Sequence, residues 1–251
     1  MTAENSIIST TFQLGSNGAW FENLAVRPKG NLLATRIDVP KLWSISTAPI
    51  SETGHPFYTF PRESSVMGIA EIGEDIYAVV TGNLSISTIS PVPGTQPTQN
   101  KNLAYNPDAH LLNGIIKFGN NLCLITDSKK GVIWRLDLTT GEYSQALSHA
   151  PLLPEEDQPV QVGANGIKAL HSYVYFTSTT REISRRIPVD EHASATVQLV
   201  AGNEFKLTVA GSTAIALSKD RTVLYVATSG AQIAPVMSQT VKPAKIVAVR
   251  L

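Results

Sequence analysis

The chain has 251 residues with 20 basic and 20 acidic side chains, a formal net charge of +0. A balanced surface has no long-range field to gather phosphate backbones or anionic lipid, which argues against nucleic acid and membrane surfaces as partners. No apolar run approaches the roughly 20 residues that span a bilayer, and residues 1–10 lack the basic start and apolar centre of a signal peptide.

Strand signals dominate from one end to the other, and no segment reads as a helix. Ile7 to Leu14 is a strand that belongs to no repeat. After it, a motif of polar residue, small residue and apolar run recurs five times: Asn23-Leu24-Ala25-Val26, Met67-Gly68-Ile69-Ala70, Asn113-Gly114-Ile115-Ile116, Asn165-Gly166-Ile167-Lys168 and Thr213-Ala214-Ile215-Ala216. A β-branched or aromatic run follows each motif: Leu32 to Arg36, Ile76 to Val80, Leu122 to Thr126, Val174 to Ser178 and Leu224 to Thr228. A period of roughly 40 to 50 residues with several short strands per repeat marks a propeller blade. The expectation is an all-β, five-bladed β-propeller forming a single domain over residues 1–251.

The third repeat shows the template most clearly, with strands Gly114 to Phe118, Leu122 to Thr126, Val132 to Leu138 and Tyr143 to Leu147. Its turns are Gly119-Asn120-Asn121, Ser128-Lys129-Lys130-Gly131 and Thr139-Thr140-Gly141-Glu142. Cys123, the one cysteine, sits inside an apolar run and reads as a small buried hydrophobe; no disulfide can form within the chain. Asn83-Leu84-Ser85 is a glycosylation sequon that matters only on the secretory route. The compartment stays open: a soluble protein, cytoplasmic as it stands or secretory if a leader has been removed. Pro91 to Asn106 and Pro151 to Pro159 read as loops between blades, since proline cannot donate to a strand ladder. Lys245 to Leu251 is the last strand, and pairing of Ile7 to Leu14 with the final blade is expected to close the fold.

The first strand of a propeller blade lines the central channel, so one phase of the repeat gives one ring of side chains. That ring reads Asn23, Met67, Asn113, Asn165 and Thr213, with Glu22 and Ser212 adjacent. Amides, hydroxyls and one carboxylate converging on a channel suit a small ligand. The competing reading is that Asn before Gly serves the turn into the strand, because Asn tolerates left-handed geometry. Arg36 heads a second column, Arg36, Val80, Thr126, Ser178 and Thr228. Asp127 reads as a turn former and His110 as a loop residue ahead of Asn113 that overhangs the channel or is solvated. Trp20 and Phe21 offer an apolar wall beside Glu22 or ordinary blade packing. No nucleophile triad, zinc set or Gly-rich phosphate loop is present.

The chain resembles the regucalcin and gluconolactonase-like propellers, particularly fungal members. The likeness is carried by Glu22-Asn23-Leu24-Ala25-Val26-Arg27, Leu112-Asn113-Gly114-Ile115 with Thr126-Asp127-Ser128, Ala164-Asn165-Gly166-Ile167, and Gly211-Ser212-Thr213-Ala214. The resemblance implies six blades and a divalent cation held by a glutamate, an asparagine and an aspartate. By position these are Glu22 and Asn165, with Asn113 matching a substrate-contacting asparagine. The aspartate has no counterpart, because its blade would lie between Ala195 and Gly211, where too few residues exist. The chain is thus expected to be one blade short, and a hard cation such as calcium, which takes six to eight oxygens, loses a carboxylate.

Fungal relatives of this propeller include hetero-Diels-Alderases, which join a tropolone quinone methide to a sesquiterpene alkene. Such a reaction needs two apolar partners held in one orientation and a hydrogen bond to the heterodiene carbonyl. The expectation is therefore a metal-independent pericyclase of natural-product assembly with no cofactor. Its catalytic donors would be Asn113, Asn165 and Arg36. An apolar small molecule would be bound by Trp20, Phe21, Glu22, Asn23, Met67, His110, Ser212 and Thr213. The alternatives are a metal-dependent lactone or ester hydrolase using Glu22 and Asn165, and a non-catalytic propeller binding another protein through its rim. The polar loops Ser51 to His55 and Gly94 to Lys101 argue against the last.

Overall fold

The structure is a computed structural model that describes residues 8–48, 53–61, 63–82, 84–90, 101–157, 160–170, 173–181, 183–188, 198–201, 212–230 and 243–250. Asn83 of the sequon, the loop residues 91–100, residues 51–52 and the stretch 202–210 lie outside them.

The β-branched and aromatic runs form strands as their preference for a pleated surface dictates. After β1 (Ile8–Gln13), the first blade runs β2 (Phe21–Val26), β3 (Leu32–Arg36), β4 (Lys41–Ile45) and β5 (Gly54–Thr59). The second is β6 (Val66–Gly73), β7 (Ile76–Thr81), β8 (Ser85–Ile89) and β9 (Lys101–Tyr105). The third is β10 (Leu112–Phe118), β11 (Leu122–Asp127), β12 (Val132–Asp137) and β13 (Tyr143–Ser148). The fourth is β14 (Ala164–Leu170), β15 (Tyr173–Ser178), β16 (Ile183–Pro188) and β17 (Gln198–Ala201). Among the described residues the last has three strands of its own, β18 (Ser212–Leu217), β19 (Val223–Thr228) and β20 (Lys245–Arg250). These make five four-stranded antiparallel sheets of the β-propeller class, as expected.

The fifth sheet is completed by β1, in the order β1-β20-β19-β18. Ile8 pairs with Val249 and Gln13 with Lys245, so the expected closure by the N-terminal strand is present and β20 has no open edge. Among the described residues helix is almost absent, as expected; a 3-10 turn, Ala150–Leu152, interrupts the Pro-rich loop and buries Leu152.

The sheets fall into two compact units. One contains β2–β5 and the β18–β20 sheet with β1, packed around Phe21, Leu24, Leu32, Tyr225 and Ile246, with Phe12 and Trp43 against them. The other contains the second, third and fourth blades, and Ile116, Leu124, Ile133, Leu152, Ile167, Val174 and Phe176 form one of its cores. Stacked sheets cover both faces of a strand, which is why β3 reads Leu-Leu-Ala-Thr without alternation and buries all four.

Two aspartates set the turns of the third blade by one device. Asp127 ends β11 and Asp137 ends β12, and in each case a glycine four residues on returns its N–H to the aspartate carbonyl, at 3.1 Å from Gly131 and 2.8 Å from Gly141. Both glycines have positive φ, 67° and 78°, a region a side chain would disfavour. At Asp137 the N–H groups of Thr140 and Thr139 hold the carboxyl below its usual range.

Candidate functional site

In four blades the first strand slips register at one place. Leu112 pairs with Asp127 and the next pair is Ile115 with Ile125, so Asn113 and Gly114 together face Thr126. Ala164 pairs with Ser178 and Ile167 with Phe176, so Asn165 and Gly166 face Thr177. The same bulge leaves Glu22 extra between Phe21 and Asn23 in β2, and Thr213 extra between Ser212 and Ala214 in β18. Bulges of this kind re-aim a side chain and are common beside active sites.

The hydroxyl on the second strand fixes the phase. Thr35 Oγ1 accepts the N–H of Asn23 at 2.9 Å, Thr126 Oγ1 that of Gly114 at 2.9 Å, and Thr177 Oγ1 that of Gly166 at 3.0 Å. Asn23 is therefore the counterpart of Gly114 and Gly166, and Glu22 is the counterpart of Asn113, Asn165 and Thr213. This corrects the phase read from the sequence by one residue in the first repeat. Asn23 is buried and its Oδ1 accepts the N–H of Leu24 at 2.9 Å, a local role. The second column is corrected likewise: Arg36, Thr81, Asp127, Ser178 and Thr228 end the second strands.

The turn explanation for the Asn-Gly pairs does not hold, since neither Asn113 nor Asn165 is among the residues with positive φ. Glycine is required for another reason. A Cβ on Gly68 would stand 2.2 Å from the carbonyl oxygen of Asn113, and one on Gly114 would stand 2.4 Å from that of Asn165. Successive first strands touch backbone to backbone, which places Met67, Asn113 and Asn165 side by side within one compact unit.

Hydroxyls tie these strands together. Thr126 Oγ1 donates to Asn165 O at 2.7 Å, and Ser128 Oγ donates to Ala164 O at 2.6 Å. Asn113 Nδ2 donates to Ser128 Oγ at 3.1 Å, and Asn165 Nδ2 donates to Thr179 Oγ1 at 2.9 Å. Ser128 and Thr179 each follow the end of a second strand, so this is one device used twice. Sequence reasoning missed both hydroxyls as site residues; the signal was their common place one residue beyond Asp127 and Ser178. Asn113 is buried, and its Oδ1 has no hydrogen-bond partner. Asn165 is half-buried and Met67 is buried.

The other expected site residues are placed differently. Arg36 forms an ion pair with Asp38, donates from Nε to Asp38 Oδ1 at 2.8 Å, and lies 5.9 Å from the Trp43 ring centroid, so its guanidinium is engaged within its own blade. Asp38 Oδ1 also accepts the N–H of Trp20 at 3.1 Å. Trp20 is half-buried, whereas Phe21 is wholly buried between Phe12 and Trp43, a core residue and not a pocket wall. Glu22 is buried in β2. Thr213 Oγ1 donates to Phe21 O at 2.7 Å, a tie between sheets of the same unit. Ser212 pairs with Thr228 through the backbone. His110 has an exposed side chain, and its backbone N–H reaches Asp127 Oδ2 at 2.8 Å.

Asp127 is the turn former expected, and more: fully buried, it also accepts the N–H groups of Leu111, Lys129 and Lys130 and the indole N–H of Trp134. Cys123 is buried as expected, and burial pushes its thiol up to about 12, which excludes a nucleophilic role at neutral pH. Among the described residues no three His, Cys, Asp or Glu side chains gather as a metal ion would require. No helix among them is long and apolar enough to cross a membrane.

No family model matches the chain. Among curated proteins it is similar to one from Sarocladium schorii that carries the provisional name hetero-Diels-Alderase, 26% identical over 215 residues, covering 72% of this chain and 53% of the relative. A second relative, from a Phoma species and with the same provisional name, is 26% identical over 212 residues, 70% of this chain and 59% of the relative. The chain thus spans little more than half the length of the curated relatives it matches. Both carry the name of the fungal branch that the sequence resembles. Among solved structures, a luciferin-regenerating enzyme superposes with a TM-score of 0.71 at 10% identity, covering 97% of this chain and 95% of that one. An aldose sugar dehydrogenase from Streptomyces coelicolor superposes with a TM-score of 0.60 at 13% identity, covering 96% and 97%. These two share the fold.

Proposed function

We propose that the chain is a pericyclase of the hetero-Diels-Alder type, acting on an apolar small molecule in natural-product assembly. The observation that carries the reading is the row Met67, Asn113 and Asn165. It sets two anchored amides and one flexible apolar side chain on neighbouring first strands, in a chain similar to proteins named for that reaction.

In such a cycloaddition a heterodiene, O=C–C=C, and an alkene form one C–O and one C–C bond together, and nothing leaves. The protein has no proton to move and no covalent intermediate to hold. It supplies orientation, which removes entropy from the barrier, and a donor where negative charge grows on the heterodiene oxygen. Asn165 is the donor in this reading. One of its two amide protons goes to Thr179 and the other is turned to the heterodiene oxygen. Met67, unbranched and polarizable, shapes itself to the alkene partner.

A cation on Glu22 and Asn165, which the wider family implies, would rest on one carboxylate and one amide oxygen. That donor set is poor for an ion wanting six to eight oxygens.

The test is a rate measurement with purified protein, a generated quinone methide and an alkene, with and without EDTA. Acceleration over the uncatalysed reaction with one stereoisomer in excess, unchanged by EDTA and lowered about tenfold or more by Asn165→Ala, is expected. Ester or lactone cleavage abolished by EDTA, with no cycloaddition, would establish the hydrolase instead.

A further inference from the structure

We propose that Ser128 is a positioning residue that locks the Asn113 amide with its nitrogen on Ser128 and its oxygen unpaired, so that the ligand group Asn113 takes is a hydroxyl or N–H donor and not a carbonyl. The inference deepens the pericyclase reading by naming a group its substrate carries, and it rests on that reading for the placement of a ligand against Asn113.

A serine hydroxyl has one proton. In Ser128 that proton goes to the carbonyl of Ala164 at 2.6 Å, so toward Asn113, 3.1 Å away, the oxygen can only accept. The Asn113 atom facing it must then be Nδ2, because Oδ1 there would set two acceptors against each other. With the nitrogen committed on that side, Oδ1 is the atom left over. It is buried in a side chain only 2% exposed and has no partner. A buried carbonyl oxygen without a donor carries an uncompensated desolvation cost, which a donor brought by a ligand relieves. Because Oδ1 is shielded from solvent, a neighbouring side chain must yield as the ligand enters.

The next blade repeats the device, with Asn165 Nδ2 on Thr179 Oγ1 at 2.9 Å. Asn165 is half-buried and keeps a second N–H. With Asn165 as the donor of the proposed function, the adjoining strands would offer an acceptor and a donor, the complement of a hydroxyl neighbouring a carbonyl, as in a phenol or enol conjugated to a ketone. Either amide turned over would reverse that pattern.

The experiment uses the whole chain and two probes that differ only in the proton, 2-naphthol and 2-methoxynaphthalene, titrated by fluorescence or calorimetry. The wild-type protein should bind the naphthol at least about tenfold more tightly, since a site built for an O–H rejects the analogue lacking it. Asn113→Leu should bring the two affinities together. Ser128→Ala frees the amide to turn and should also bring them together, whereas Ser128→Thr, which keeps the hydroxyl, should restore the preference. Melting temperatures of the variants separate this from loss of fold, because a merely structural role for Ser128 would lower stability without changing the ratio of the two affinities. Equal binding of the two probes by the wild type, binding of neither, or an unchanged ratio in Ser128→Ala would overturn the proposal. Cycloaddition with no preference between probes would sink this inference and leave the pericyclase reading; preference with no cycloaddition would do the reverse.

Discussion

The hydroxyl of Thr126 accepts the N–H of Gly114 in its own blade and donates to the carbonyl of Asn165 in the next, at 2.9 Å and 2.7 Å. One buried side chain thereby joins two bulges and sets the spacing of the two asparagines. Replacing it with valine keeps the shape and orphans both backbone groups, which should cost about 2 kcal/mol in urea unfolding. Thr126→Ser should recover most of that.

The close approach of first strands predicts an asymmetry between two glycines. Gly114→Ala drives a Cβ to 2.4 Å from the Asn165 carbonyl, a backbone atom that cannot swing aside, and should lower stability by about 2 kcal/mol. At Gly166 the nearest atom would be Thr177 Oγ1 at 3.1 Å, the tip of an exposed side chain, so Gly166→Ala should cost clearly less. Thermal melts of the two variants give the comparison.

Asp127 is fully buried with five N–H groups directed at its two carboxylate oxygens. Asp127→Asn changes one of those oxygens into an NH2 group facing donors, and should cost about 3 kcal/mol, read from the urea midpoint. Asp137→Asn, at an exposed turn of the same design, should move the midpoint much less.

Burial raises the Cys123 thiol from its ordinary 9.0 to about 12. Between those values the unfolded chain loses the proton and the folded chain keeps it, so stability should fall as pH rises from 9.0 to about 12 and be unaffected by this group below 9.0. Cys123→Ala should remove that part of the slope. In native protein at pH 8 a thiol reagent should label Cys123 only after unfolding.

What could be read from the sequence was decided by strong local signals. The β-branched runs at Leu32, Leu122 and Val174 and the Gly-containing turns at Gly131 and Gly141 fall where expected, because strand preference and turn chemistry act over a few residues. The first repeat carries Glu22-Asn23 where the third and fourth carry Asn-Gly, so alignment by residue type slips one position there. Aligning Asn23 with Asn113 by polarity was natural, yet the backbone aligns Glu22 there. The second-strand threonines Thr35, Thr126 and Thr177 carried the phase, and their role shows only once their hydroxyls are seen to accept the bulge N–H groups. For Arg36 and Phe21 the sequence leaves two readings open for a different reason. Whether an arginine is free or an aromatic is a wall depends on Asp38, Trp43 and Phe12, and nothing in the repeat ties those to a channel.

The pairing of β1 with β20 also sets an order of events during synthesis. Residues 8–13 leave the ribosome before their partner and wait until residues 245–250 emerge, so an unsatisfied strand is carried while every strand between β1 and β20 is made. During that interval its N–H and C=O groups are open to any other extended segment, including the same strand of a neighbouring nascent chain. Shielding that one ribbon, by a holding chaperone or by charges at its ends, should govern how much protein is recovered from a cell.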